Sequence, residues 1–497
     1  MIRRVLTIAA VAGLAAGLAP GVLAAQGRPA PPGCGPRHAQ ANQAGTAAVS
    51  PGPAPLVCET QTGFGGAETR IAVSSDGTVV YEPATVTPGL AGTGFVPGAP
   101  GPRPSTSLQP GGLALSRDHG ATWRFVKPAG LTWVAQDDQL YVDRRTGRIF
   151  YYALSPNPAP QSGAAPVADQ EPAGHAHLMA SGDDGRTWSY AALSPYVESE
   201  NPRFAAGPPA AHGPRPVNYP DVTYWCGNDM LFYWAAPDVP AYRACYRSLD
   251  GGRSWSQTSL LFSRPLPAHP ECGTNSEVFD AGDGNYPEPA PDGSLYVTVH
   301  CGSATFLARS TDEASSWPIL HDRHGRPLVI PATDELRVDE RGNLYSLHQD
   351  GARLLLRTSR DGGLDWSAPV NLTAPGVTSI AEWYAAERGS EIAVSYLGAT
   401  SGSADLDGYI SATRDALSPR PLLWSATVNP PGHPLVQGAP AQARDDFIGA
   451  DIGPDGTPWA SFFTSCPSGS TSPGCAGQSG DPQASGAVAG WLQFPSG

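Results

Sequence analysis

Two tetrapeptides, Asn218-Tyr219-Pro220-Asp221 and Asn285-Tyr286-Pro287-Glu288, each place a phenol ring and a carboxylate side by side. Sugar sites pair these groups, the ring covering an apolar sugar face and the carboxylate taking its hydroxyls. Descent from one duplicated unit would leave the same pattern. Asp and Glu total 45 in this chain of 497 residues. Converging carboxylates can do acid and base work at a glycosidic bond, or hold a calcium ion through oxygen ligands. Asp and Glu also suit the turns of an acidic chain. Trp133, Trp225, Trp234 and Trp383 offer stacking surfaces, although tryptophan is more often core. His175 and His177 have no further spaced ligands, so no metal site is assigned to them.

The elements that must position these groups repeat. Strand–turn–strand units start at Arg70, Leu140, Val222, Pro287, Leu336, Trp383 and Ile448, which makes seven. Each turn is polar and Gly-bearing, and each re-entry is aromatic or β-branched. Five of the units lead into one frame: SRDHGATW from Ser116, SGDDGRTW from Ser181, SLDGGRSW from Ser248, STDEASSW from Ser310 and SRDGGLDW from Ser359. A sixth copy is degenerate at Thr413-Arg414-Asp415. Physically, the aspartate ties down the N–H groups of a tight turn, glycine takes a positive φ, and tryptophan closes a small core behind it.

These frames match the Asp box, so the chain resembles the sialidase superfamily of β-propellers over about Leu56 to Phe494. The fold expected is all-β, a seven-bladed propeller of four-stranded antiparallel blades with Asp-box hairpins; six blades is the alternative. The seventh unit is one strand short, since its third strand, Ala487 to Phe494, ends the chain. Leu56 to Thr62 is the natural lender of the missing strand.

The resemblance implies a ligand at one face, over the central channel, contacted by the starts of the innermost strands. Those positions are Glu68, Arg70, Asp137, Asp138, Asp221, Asp283, Glu288, Asp334, Glu335, Glu382, Asp445 and Asp446. Glu288, Asp138 and Glu382 are the catalytic candidates. Arg70, Glu68, Asp137, Tyr219, Asp221, Tyr286, His300, Glu335, Tyr384 and Asp446 are the ligand-binding candidates. The family uses three arginines to hold a substrate carboxylate, a Tyr/Glu pair as nucleophile and an Asp as acid. Arg70-Ile71-Ala72 matches its early Arg-Ile-Pro element, and Glu288 fits its glutamate. His300 stands where a second arginine is expected, Tyr384 falls two residues late for the nucleophile, and no Asp occurs between Pro83 and Arg117. A mouth ringed by carboxylates with one or two arginines would repel an anionic sugar, so neutral or cationic ligands are expected.

Residues 1–25 read as a secretory signal peptide, with Arg3 and Arg4 ahead of an apolar run and Val22-Leu23-Ala24 as cleavage site. Residues 26–55 read as a Pro/Gly/Ala-rich linker and 56–497 as the propeller. The eight cysteines fit disulfides of an exported chain. Proximity favours Cys34 with Cys58, Cys226 with Cys245, Cys272 with Cys301 and Cys466 with Cys475. A net charge of −14 without a basic cluster excludes nucleic acid as partner, and no apolar run spans a membrane. No cofactor is expected beyond the calcium alternative, and a monomer is expected. The resulting functional expectation is a secreted, carbohydrate-recognising propeller. The alternatives are an exo-acting glycoside hydrolase and a non-catalytic protein-interaction scaffold of the cell envelope.

Overall fold

The structure is a computed structural model that describes residues 33–42, 53–65, 69–84, 112–128, 136–154, 176–193, 202–229, 242–263, 268–273, 286–437, 448–465 and 485–495. The described chain is built of strands, with one short 3-10 turn at Pro270–Cys272. No helix in it is long and apolar enough to cross a membrane. The proposed signal peptide lies outside the described residues.

Seven antiparallel sheets form the blades. Their innermost strands are Arg70–Val73, Gln136–Val142, Arg203–Gly207, Glu288–Pro289, Glu335–Val338, Val377–Arg388 and Gly449–Ile452. Middle strands such as Leu295–Cys301 are buried on both faces, because each blade packs between two neighbours. Hence they read as nearly continuous apolar runs rather than alternating ones.

Local chemistry shapes the hairpins as expected. In the fifth blade Asp339 accepts the Arg341 and Asn343 N–H groups at 2.8 Å each, and Gly342 takes φ 80°. In the second-blade Asp box, Asp183 accepts from the Arg186 and Thr187 N–H groups and Ser181 Oγ accepts from Gly185 N, while Trp188 donates to the Gly185 carbonyl at 3.1 Å. The degenerate sixth copy keeps the core of this scheme, with Thr413 donating to Asp415 and Asp415 accepting from Leu422 N.

Closure of the ring follows the expected strand loan: Leu56–Gly65 pairs with Ser485–Gln493. The segment taken for linker goes further. Cys34–His38 adds a fifth strand outside Leu56–Gly65, and Gln40–Asn42 adds one outside Leu423–Thr427 of the sixth blade. Edge strands carry unpaired N–H and C=O groups, and this strap covers two of them. Arg37 clamps it by donating to the Thr427 and Asn429 carbonyls at 3.0 and 2.8 Å. Blades six and seven are therefore five-stranded.

One blade differs from the sequence reading. The third blade starts at Arg203–Gly207, ahead of the unit read from Val222, and Val222–Asp229 is its second strand. The connection between them spans 208–221 instead of a short Asp–Gly turn, which hides the first strand from a turn-based reading. Three of the four favoured disulfides are present, Cys34–Cys58, Cys226–Cys245 and Cys272–Cys301; Cys466 and Cys475 lie outside the described residues.

Candidate functional site

Inner strands deliver their first residues to one end of the channel and their last residues to the other. Contacts among blades divide accordingly. Arg70 donates to the Ile448 carbonyl and Arg203 and Arg337 meet Glu335 at the strand starts. Arg144 meets Asp451, and Arg388 donates to the Ile452 carbonyl, at the strand ends.

At the start end a guanidinium–phenol stack crosses the channel. Arg243 lies 4.6 Å from the Tyr286 ring centroid and Arg203 lies 4.8 Å from the same ring. Arg203 also lies 4.6 Å from the Tyr384 ring, which Arg70 approaches at 4.7 Å and Arg337 at 5.4 Å. Cation–π contacts of this kind strengthen as water is removed, and Arg70, Arg203, Arg243 and Arg337 are all buried.

Glu335 knits the stack to the neighbouring blades. Its Oε1 accepts from Arg203 Nη2 at 3.1 Å, and its Oε2 accepts from Arg337 Nη2 at 2.7 Å and from the Ala385 N–H at 3.3 Å. Glu288 accepts from Arg337 Nη1 at 2.8 Å. Burial raises the Glu288 carboxyl above its ordinary value, with Arg337 and Arg203 opposing. For Arg337, burial pulls the guanidinium down, but Glu335 and Glu288 outweigh it and hold the group above its ordinary value.

Below this cluster runs a cavity of about 490 Å³, within the usual range for a small-molecule site. Arg70, Arg203, Arg337, Tyr384 and Glu288 form its upper wall, and Asp143, Arg144, Glu387 and Asp451 its lower one. The chain thus has a seven-bladed β-propeller fold enclosing a polar channel. No family model matches it, and no curated protein matches it. Among solved structures it is similar to a protein of unknown function from Dyadobacter fermentans DSM 18053, at 14% identity over 73% of this chain and 95% of that one, TM-score 0.41. It is also similar to a mutant α-L-arabinofuranosidase from Fusarium graminearum in complex with an iminosugar inhibitor, at 13% identity over 74% and 94%, TM-score 0.36. A third is a mutant NanB sialidase from Streptococcus pneumoniae, at 13% identity over 90% and 72%, TM-score 0.36. These are likenesses of architecture, and no site residue is carried over from them.

Of the expected site residues, Arg70, Glu288 and Tyr384 line the channel, and Tyr286 and Glu335 are buried against its arginines. Tyr384 reaches it because the strand Val377–Arg388 shifts register twice, between Val377 and Ser379 and between Ile380 and Glu382. Those shifts explain the apparent two-residue lateness. Glu382 is half-buried on the same strand. Asp334 pairs instead with His348 at 3.0 Å, beside the fifth blade's second strand.

Two expectations are corrected. Asp221 and Tyr219 do not join the strand-start end. They precede the third blade's second strand and so sit at the opposite end, where Asp221 meets Arg145 at 2.8 Å and the Tyr219 hydroxyl donates to Asp143. The two Asn-Tyr-Pro tetrapeptides therefore face opposite ends of the channel. His300 lies in the fourth blade's second strand, its Nδ1 3.3 Å from Thr305 Oγ1, and it does not replace an arginine at the axis. The side chains of Glu68, Asp137, Asp138, Asp283, Asp445 and Asp446 lie outside the described residues.

The expectation of one or two arginines at the channel also fails. Arg203 and Arg337 join Arg70 in its lining, and Arg243 lies behind them against the Tyr286 ring. A repeat in the sequence could have found one of them, since Arg203-Phe204-Ala205 echoes Arg70-Ile71-Ala72. Among the described residues no group of three or more His, Cys, Asp or Glu is arranged to hold a metal ion.

Proposed function

We propose that this protein is a secreted propeller that recognises extracellular carbohydrate at its channel, and that the channel arginines select the carboxylate of an acidic sugar. The observation that carries this reading is the gathering of Arg70, Arg203 and Arg337 within 4.6 to 5.4 Å of one phenol ring, that of Tyr384. Planar guanidinium forks suit a carboxylate, because two parallel N–H donors match its two oxygens. The phenol ring of Tyr384 supplies flat apolar surface beside those forks.

Hydrolysis is the second reading, and one observation favours it. Tyr384 stands at the axis beside Glu335, which accepts the N–H of the next residue, Ala385. A phenol nucleophile with a glutamate is the pair that the resemblance implies, and Glu288, which fits that glutamate, accepts from Arg337, itself 5.4 Å from the Tyr384 ring.

A panel of immobilised glycans tests the proposal. Saturable binding confined to acidic members supports it; binding confined to neutral members, or to none, contradicts it. Release of free sugar from the bound members separates the hydrolase from the binding protein.

A further inference from the structure

The strand-end half of the cavity holds a second constellation that the acidic-sugar reading does not use. Arg144 leaves the second blade just after its inner strand and donates through Nη2 to Asp451 of the seventh at 2.7 Å. Its Nη1 lies 3.9 Å from Glu387 of the sixth, too far for a hydrogen bond. The Arg144 side chain keeps 35% of its surface exposed, so its remaining donors face the cavity.

Glu387 is the carboxyl left over. Its side chain is 11% exposed, and besides the Gly389 backbone N–H it has no hydrogen-bond partner among the described residues. The other carboxylates of this end are held: Asp451 by Arg144 and the Val73 N–H, Asp143 by Tyr219 and Thr146, and Asp221 by Arg145. Burial pushes Glu387 up to about 8, with Glu288 and Asp339 adding to the rise and Arg144 opposing it. At neutral pH the group is therefore a carboxylic acid that can donate as well as accept.

Charge decides which ligand this end takes. With Glu387 neutral, Asp143, Asp221 and Asp451 still outnumber Arg144 and Arg145 along its walls, which disfavours an anion. A cation entering beside Glu387 would meet the Arg144 guanidinium at close range. A neutral molecule with adjacent hydroxyls pays neither penalty, accepting from Arg144 and exchanging hydrogen bonds with Glu387.

We propose that the strand-end half of the channel is a second ligand site, in which Arg144 and Glu387 hold neighbouring hydroxyls of a neutral polyhydroxyl compound. Calorimetric titration of the full chain with the neutral disaccharide lactose tests it. Saturable binding is expected, with Glu387→Leu and Arg144→Met each weakening it at least tenfold. Glu387→Gln should stay within about threefold, because the amide keeps one donor and one acceptor. Arg70→Gln, at the other end, should leave lactose affinity unchanged while weakening any acidic ligand, so failure here and failure of the acidic-sugar reading are distinguishable. A wild-type affinity that changes near pH 8, absent in Glu387→Gln, would assign the contact to Glu387 rather than to a general loss of structure. No lactose binding, or binding indifferent to both Glu387→Leu and Arg144→Met in folded protein, overturns the proposal.

Discussion

The Arg203 guanidinium lies 4.6 Å from the centroid of the Tyr384 ring, although the two residues stand on blades three and six. It also lies 4.8 Å from the Tyr286 ring of blade four and 3.1 Å from Glu335 of blade five. One side chain therefore ties together the first steps of blades that share no strand pairing.

Removing it strips a buried carboxylate of one partner. Arg203→Ala should destabilise the fold by about 3–5 kcal/mol, the usual cost of breaking one side of a buried pair. Arg203→Lys should recover part of the stability and little of the acidic-ligand affinity, because an ammonium lacks the planar fork. Denaturant unfolding and ligand titration on the same variants check both halves.

Tyr384→Phe separates recognition from reaction. The ring stays between its guanidiniums, so acidic-sugar binding should fall by less than about fivefold. If the protein hydrolyses its ligand through Tyr384, turnover should drop by at least about a thousandfold, consistent with loss of a nucleophile. Equal turnover in the two proteins rules out that role.

Glu387 makes stability depend on pH in a definite direction. Its folded value, about 8, lies above the ordinary 4.5, so folding takes up a proton between those limits. Stability from the neutral carboxyl is complete below pH 4.5 and is lost as pH rises through 8. Glu387→Gln should thus match wild type in Tm at pH 5 and exceed it at pH 9, with a ceiling of about 5 kcal/mol.

The strap closing blades six and seven should be separable from the channel. Cys34→Ser removes the link to Cys58, 24 residues away, at a cost of ~3 kcal/mol if loop closure dominates. Thermal unfolding should record the loss while ligand affinity in the folded protein stays unchanged.

Much of the architecture is legible in the sequence because it is repeated and local. An Asp box needs only Ser, Asp, Gly and Trp within eight residues, as in Ser181 to Trp188, and the missing strand of the last blade announces its lender. The strap is not legible, because Cys34–His38 and Gln40–Asn42 are strands only through the edges they cover. Arg203 is hidden for a related reason: its strand is five residues long and is followed by the long connection 208–221. Tyr384 is displaced by register shifts that no spacing rule anticipates. Glu387 and Asp451 close inner strands, away from the starts that the resemblance implies.

The claim that the channel arginines read a carboxylate is tested most directly by calorimetry with 3′-sialyllactose and its carboxyl methyl ester, in which a methyl group removes that charge. The free acid should bind at least tenfold more tightly, and Arg70→Gln should shrink that gap. Equal affinities for acid and ester in the wild-type protein would contradict the account.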